Sequence, residues 1–452
     1  MAHPESSNEG PHDSPGGVSQ SGPARQREIF FAGLAGRRPP IPSNPQALER
    51  AAERAMSPQA WAYVGGGAGA EHTMRANRET FDRWRIVPRM LRDTATRDLS
   101  IELFGARLPT PFLIAPVGVL EVVHPEADLA VARAARALQV PMILSNQASV
   151  PMETVSRTLG DTPRWFQLYM STSNDLVASF VRRAEACGCS AIVLTLDTTM
   201  LGWRTRDLDL AWLPFLRGAG LAQYTSDPVF RAQLEQLAVT GAAGTARASG
   251  GRPARAPDAR PPLTLDTIAA LFALARRARR ASLSLSAMRR AVRHFVATYS
   301  RPSLAWDDVA FLRSQTRLPI VLKGIQHAED ARRAADAGVA AIVVSNHGGR
   351  QVDGAIGSLE ALPSVVAAVA GRLPVLFDSG IRTGADAFKA LALGARAVLI
   401  GRPCAYGLAI AGASGAEQVM RNLVAELDLT LGSSGHASVG ALTPDALQRD
   451  GA

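Results

Sequence analysis

Lysine is nearly missing from this chain. Of 49 basic Lys and Arg residues only Lys323 and Lys389 are lysines. The arginines read as spread along an alanine- and glycine-rich sequence, which is the mark of a background bias. A nucleic-acid groove would cluster its cations and interleave them with aromatics. So the net charge of +9 and the pI near 10.2 predict no nucleic-acid partner. Cysteine is scarce too. Cys187, Cys189 and Cys404 cannot build a disulfide framework. Cys187-Gly-Cys189 has the wrong spacing for a zinc knuckle and lacks a second pair, so no metal is expected. No apolar run approaches the roughly 18 residues of a membrane span. The N-terminus lacks a charged-then-apolar signal, and Arg37-Arg38 runs into prolines. These absences predict a cytoplasmic protein with no membrane partner. What is present is 47% hydrophobic residues over 452 positions, enough for a sizeable core.

Residues 1–27 hold almost no large apolar side chains and predict a disordered tail before a folded region over 28–440, with a C-terminal tail over 441–452. Within the folded region eight short apolar runs end in polar or glycine residues. They are PFLIAP from Pro111, PMILSN from Pro141, WFQLYM from Trp165 and AIVLTLD from Ala191. The others are PIVLKGI from Pro319, AIVVSNH from Ala341, VLFDSG from Val375 and AVLIGRP from Ala397. Unbroken apolar runs of this length read as parallel strands buried on both faces. Alanine-rich helical stretches separate most of them, so the predicted fold is an α/β (β/α)8 TIM barrel preceded by an N-terminal helical segment. An open doubly wound sheet is the alternative. One spacing breaks the rhythm. Residues 205–305 form a long insertion after strand 4, with a low-complexity stretch over 240–262, and a barrel places such an insertion over its mouth as a lid.

Chemistry in a barrel collects where strands end. Strand 6 ends in Ser345-Asn346-His347-Gly-Gly-Arg350, where His347 suits a general base and Arg350 a carboxylate. Strand 4 ends in Thr195-Leu-Asp197, a carboxylate placed to orient an imidazole, with Arg204 following as a second cation. On strand 3 Gln167 and Tyr169 share one face and greet a ligand. Asp378-Ser-Gly380-Ile-Arg382 opens a helix and Gly401-Arg402 closes strand 8. Glycines, arginines and helix N-termini after strands 7 and 8 form a phosphate site. Lys323, at the end of buried strand 5, needs an anionic partner. A phosphorylated cofactor in the mouth, with a small acid above it, satisfies all of these.

On SNHGGRQVDG at 345–354 and DSGIRTGADAFKALALGARAVLIGRP at 378–403, the chain resembles the FMN-dependent L-2-hydroxy-acid oxidase/dehydrogenase family. WFQLY at 165–169, TLDT at 195–198 and LKGI at 322–325 agree in order and place. The resemblance spans roughly residues 60–432, apart from the insert. It implies FMN as cofactor and a small 2-hydroxy acid as substrate. It also implies His347 as base, Asp197 as its partner, and Tyr63, Arg350 and Arg204 around the substrate carboxylate. Tyr169 would contact the substrate hydroxyl. Pro116, Val117, Gly118, Ser145, Gln167 and Thr195 would line the flavin ring. Lys323 would sit near its N1 and C2 oxygen, Ser345 and Asp378 would touch ring or ribityl, and Gly380, Arg382, Gly401 and Arg402 would hold the phosphate. A homotetramer or homo-octamer is expected by the same analogy.

Within the family, TLDTTMLGWRTRDLDL and LPFLRGAGLAQYTSDPVF are most similar to the lactate 2-monooxygenase branch. So is Gly118, where many hydroxy-acid oxidases carry alanine. That branch converts L-lactate and molecular oxygen to acetate, CO2 and water. The alternatives are an oxidase or dehydrogenase that releases the keto acid, and a catalytically silent flavin-binding protein. The stretch His124-Pro-Glu-Ala-Asp128 stands where the family has a His-Pro-Asp-Gly-Glu-like stretch, a departure outside the direct chemistry. The Arg- and Pro-rich insert departs too, and it leaves lid length and substrate size open.

Overall fold

The computed structural model describes residues 21–243 and 264–451. Eight parallel strands close into a barrel in the order β7-β8-β1-β2-β3-β4-β5-β6. They are β1 (Phe112–Ile114), β2 (Met142–Leu144), β3 (Arg164–Leu168), β4 (Ile192–Thr195), β5 (Ile320–Ile325), β6 (Ala341–Val344), β7 (Val375–Phe377) and β8 (Ala397–Ile400). Seven lie inside their apolar runs, and β3 begins one residue before its run, at Arg164. Almost every residue in them is buried, because the helices cover the outside and packed side chains fill the inside. The closed barrel replaces the open-sheet alternative.

The chain is ordered earlier than its composition predicts. A helix runs over Gly22–Leu34, so residues 22–27 do not belong to a disordered tail. Ser21 caps it by accepting from the Ala24 amide, and its neighbour is the helix Arg402–Ser433. The Gly22 amide donates to Asp428 at 2.7 Å and the Arg25 guanidinium to Asn422 at 3.1 Å. Tertiary partners thus order a segment whose own apolar content is too small to do so. Residues 1–20 lie outside the described residues. The C-terminal tail is also held: Leu447–Arg449 pairs antiparallel with Trp84–Ile86.

Between β4 and β5 the insertion folds into helices, chiefly Pro228–Ala243, Leu265–Arg280 and Leu285–Thr298. The low-complexity stretch falls, from residue 244 on, outside the described residues. Aromatic packing seats the insertion on the barrel. Tyr224 is fully buried, meets Phe295 edge-on at 4.8 Å and Phe180 of a barrel helix at 5.0 Å, and donates its hydroxyl to Asn146 just past β2 at 2.8 Å. A second anchor is ionic. Glu121, just after the Pro116–Gly118 turn, meets Arg277 at 3.0 Å and accepts from the Gly220 amide at 3.2 Å.

Candidate active site

The C-terminal ends of the strands surround a cavity of about 560 Å³. Its floor comes from the barrel and its far wall from the insertion, through Leu213, Phe215, Phe295, Val296 and Tyr299. The insertion therefore lies over the mouth, as its position after β4 predicts.

His347 stands on this cavity in a left-handed conformation with φ +58°, followed by Gly348 at +66° and Gly349 at +74°. The two glycines are required by crowding as well as by φ. A Cβ on Gly348 would lie 2.6 Å from the Arg402 guanidinium, and one on Gly349 2.6 Å from the Met74 backbone. The turn is clamped from outside by the helix His72–Asp82. Asp353 accepts from the Ala70 and Thr73 amides at 2.7 and 3.2 Å, and Asn77 and Asn346 exchange amide hydrogen bonds at 2.8 and 2.7 Å. Held this way, His347 presents Nδ1 to Asp197 Oδ1 at 2.7 Å, which leaves Nε2 as the basic nitrogen. Gly324, at φ +112°, makes room for that carboxylate, since a Cβ there would touch Asp197 at 3.0 Å.

The electrostatics keep this pair in the state a base needs. Burial raises the Asp197 carboxyl, but His347, Lys323 and the Thr198 hydroxyl outweigh it and hold it down at about 2. Burial lowers the His347 imidazole, and the Lys323 and Arg204 cations add to that effect, so Asp197 does not restore its ordinary basicity. The result at neutral pH is a neutral imidazole beside an ionised carboxylate. Thr198, which strand-end reading passed over inside the TLDT motif, donates to Asp197 at 2.9 Å and lies 3.3 Å from His347 Nδ1.

On the same cavity as His347, the half-buried Arg350 stands over the Tyr63 ring at 5.1 Å, and Arg204 contacts Gln351 at 3.1 Å. Arg350 is pushed down to about 9 by burial and by the neighbouring Arg204 and Arg402 cations. Asp207 lies in the same field. Cations crowded this closely call for a bound anion. Tyr169 lines the cavity, and burial raises its phenol well above the ordinary value, so it stays protonated and able to donate.

Deeper in the cavity the residues fit an FMN. Gln167 accepts the Asn146 amide at 3.1 Å through its oxygen, and among the described residues its buried NH2 group has no partner. Among them the buried Thr195 hydroxyl has none either. Both line the cavity beside Pro116, Val117 and Gly118, where polar ring atoms would satisfy them. Lys323 is buried and bonds Asp378 at 2.8 Å and Ser345 at 2.7 Å. Gly380, Arg382, Gly401 and Arg402 line the far end, at the start of the helices Gly384–Ala392 and Arg402–Ser433. Among the described residues the Arg382 guanidinium donates only to the Ile381 carbonyl, at 3.1 Å, which keeps most of it uncommitted.

Two expected contacts look different in three dimensions. Ser345 is fully buried behind the wall, where it bonds Lys323 and the His347 amide, so it positions other groups and does not line the cavity. The Arg402 side chain is spent on the Val64, Gly66 and Gly348 carbonyls at 3.0, 2.8 and 2.8 Å. Together with Arg350 it caps the end of the helix Pro58–Gly65 that carries Tyr63. The glycine cluster at 65–69 is thus the place where that helix end meets the barrel. Among the described residues no group of His, Cys, Asp and Glu is placed to hold a metal, and no helix is long and apolar enough to cross a membrane.

Comparison with known proteins agrees with this geometry. The model of the FMN-dependent dehydrogenase family matches residues 52–449. An FMN-dependent alpha-hydroxy acid dehydrogenase of Penicillium citrinum is 40% identical over 94% of this chain and 95% of its own length. An L-lactate oxidase of Lysinibacillus sphaericus is 40% identical over 89% of this chain and 92% of its own. A crystal structure of mandelate oxidase superimposes with a TM-score of 0.69 at 35% identity, over 90% of this chain and 98% of the other.

Proposed function

The chain belongs to the FMN-dependent dehydrogenase family and acts on 2-hydroxy acids, and from this premise we propose that it oxidises small L-2-hydroxy acids, L-lactate foremost, with molecular oxygen as acceptor. The observation that carries this reading is the pairing of a neutral, Asp197-bound His347 with the Arg350–Tyr63–Arg204 cluster across one cavity. Bound FMN would supply the acceptor for the two electrons leaving the substrate Cα. Arg350, Tyr63 and Arg204 hold the carboxylate, and Tyr169 donates to the hydroxyl oxygen. The substrate proton passes to His347 Nε2, and Asp197 stabilises the imidazolium formed. Lys323 would offer the ring a compact positive charge, and Gly380, Arg382 and the helix start at Arg402 would hold the phosphate.

The finer reading is a lactate 2-monooxygenase, in which lactate and O2 give acetate, CO2 and water. Two features support it. The insertion lines the mouth with the apolar Leu213, Phe215, Phe295 and Val296, a wall that would retain the keto acid. Gly118 stands on the cavity with no side chain of its own. The second reading, release of the keto acid with hydrogen peroxide, is favoured by the likeness to an L-lactate oxidase. Incubating the flavin-loaded protein with L-lactate in air separates them. Acetate and CO2 in step with oxygen consumed are expected; pyruvate and peroxide in equal amounts select the second reading. A yellow protein that no 2-hydroxy acid bleaches anaerobically would refute both and leave a silent flavin binder. A cytoplasmic location and a homotetramer or homo-octamer complete the proposal, the latter checked by light scattering.

A further inference from the structure

The positive charge is not dispersed, contrary to what its arginine-rich background predicts. Residues 205–305 hold fifteen arginines and six acidic residues, and this excess of nine equals the net charge of the whole protein. The rest of the chain is balanced.

Two described helices of the insertion carry part of this charge outward. Arg276, Arg279 and Arg280 end the helix Leu265–Arg280, and Arg289 and Arg293 follow on Leu285–Thr298. All five are exposed, and among the described residues none forms an ion pair with a carboxylate. The first helix also exposes Leu265, Ile268 and Phe272, at 85%, 42% and 74%. Steps of three and four residues place Leu265, Ile268, Phe272, Arg276 and Arg279 in one stripe. Leu274 and Ala278 are buried on the opposite side, against the protein. The helix is therefore packed on one side, and on the other it is apolar over its first half and cationic over its second.

We propose that this stripe docks on an anionic phospholipid surface. Leu265, Ile268 and Phe272 would enter the acyl boundary while the arginines meet headgroup phosphates. A nucleic acid would engage the arginines but leave the three apolar side chains in water, so lipid fits the whole stripe better. The expectation of no membrane partner came from the missing apolar run, a criterion for crossing a bilayer and not for lying on one. The proposal is independent of the reaction catalysed below the insertion.

Sedimentation of the flavin-loaded full chain with vesicles tests it. Vesicles of equal parts phosphatidylglycerol and phosphatidylcholine should carry the protein down at about 0.05 M salt and release most of it at about 0.5 M, as the Debye length shrinks. Vesicles of phosphatidylcholine alone should carry little. The double variant Arg276→Ala/Arg279→Ala should weaken partitioning about 25-fold, at about five-fold per arginine. Phe272→Ser should weaken it about ten-fold. Arg332→Ala, on a barrel helix, should leave it unchanged, and Phe272→Ser should keep the turnover of the unaltered protein. No binding to the anionic vesicles, equal binding to both kinds, or binding that survives the arginine variant would overturn the proposal. So would salt-sensitive retention of DNA, unaffected by Phe272→Ser, without vesicle binding.

Discussion

At the barrel mouth Lys323 and Asp378 meet at 2.8 Å with side chains 5% and 11% exposed, whereas on the insertion Arg276, Arg279 and Arg280 face water with no carboxylate partner among the described residues. The two regions use the same kinds of charge under opposite conditions. Inside the barrel a charge is tolerated only where another answers it or where an anion will be bound. Asp197 answers His347 and Asp378 answers Lys323, while Arg350, Arg204 and Arg382 line the cavity, where the proposed carboxylate and phosphate would answer them. On the insertion, water solvates each arginine cheaply, and the charges can accumulate without partners. The first arrangement defines a reaction site, the second a surface.

The comparison breaks most visibly at the base. His347→Gln should lower kcat by about three orders of magnitude while the flavin absorbance of the purified protein is kept. A variant that keeps most of its turnover would show that the proton goes elsewhere. Next in size, Lys323→Met strands the Asp378 carboxylate and should cost roughly 3–5 kcal/mol in denaturant unfolding, with Lys323→Met/Asp378→Asn recovering most of the loss. An equal loss in both would mean that the ammonium acts without its partner.

The joint between the two regions should give a smaller effect. Arg277→Met leaves Glu121 under the insertion and should cost about 1–3 kcal/mol. It should also raise the share of pyruvate over acetate, since the insertion then closes less firmly over the Pro116–Gly118 turn. Unchanged products with lowered stability would reduce that ion pair to a structural tie. The smallest effect concerns pH. His347 must be neutral to accept a proton, and burial lowers its basicity, so kcat/KM should hold below the ordinary imidazole range near 6.5 and fall only as Nε2 becomes protonated at lower pH. Asp197, held at about 2, stays ionised across that range and adds no limb of its own. Asp197→Asn removes the one carboxylate that favours the imidazolium and should move the limb lower still. A limb at or above the ordinary value would contradict the burial argument.

Much of the geometry of the candidate site was legible in the sequence. His347, Arg350, Asp197 and Lys323 stand at strand ends, and a TIM barrel has one place for strand-end chemistry, so position in the sequence carries over to position in space. Gln167 and Tyr169 were legible by alternation along β3. Thr198 was harder to see, because a threonine after a strand-end carboxylate has no signature until its hydroxyl is found on Asp197. The double duty of Arg402 was invisible for a different reason. Its acceptors Val64 and Gly66 lie more than 330 residues away, on a helix end that only folding brings near. The helix at Gly22–Leu34 was missed because Asp428 and Asn422 hold it, and local composition says nothing of such distant partners.

By itself, the sequence determined the barrel, its eight strands, the strand-end placing of the candidate site residues and the place of the insertion. Each of these follows from apolar runs of strand length or from motifs whose residues are neighbours along the chain. Only the tertiary structure decided which charges are paired, which buried polar groups are left for a ligand, and which face of the helix Leu265–Arg280 meets water. These depend on groups far apart in sequence sharing one low-dielectric space, and burial, which sets the cost of every charge, exists only once the chain has folded.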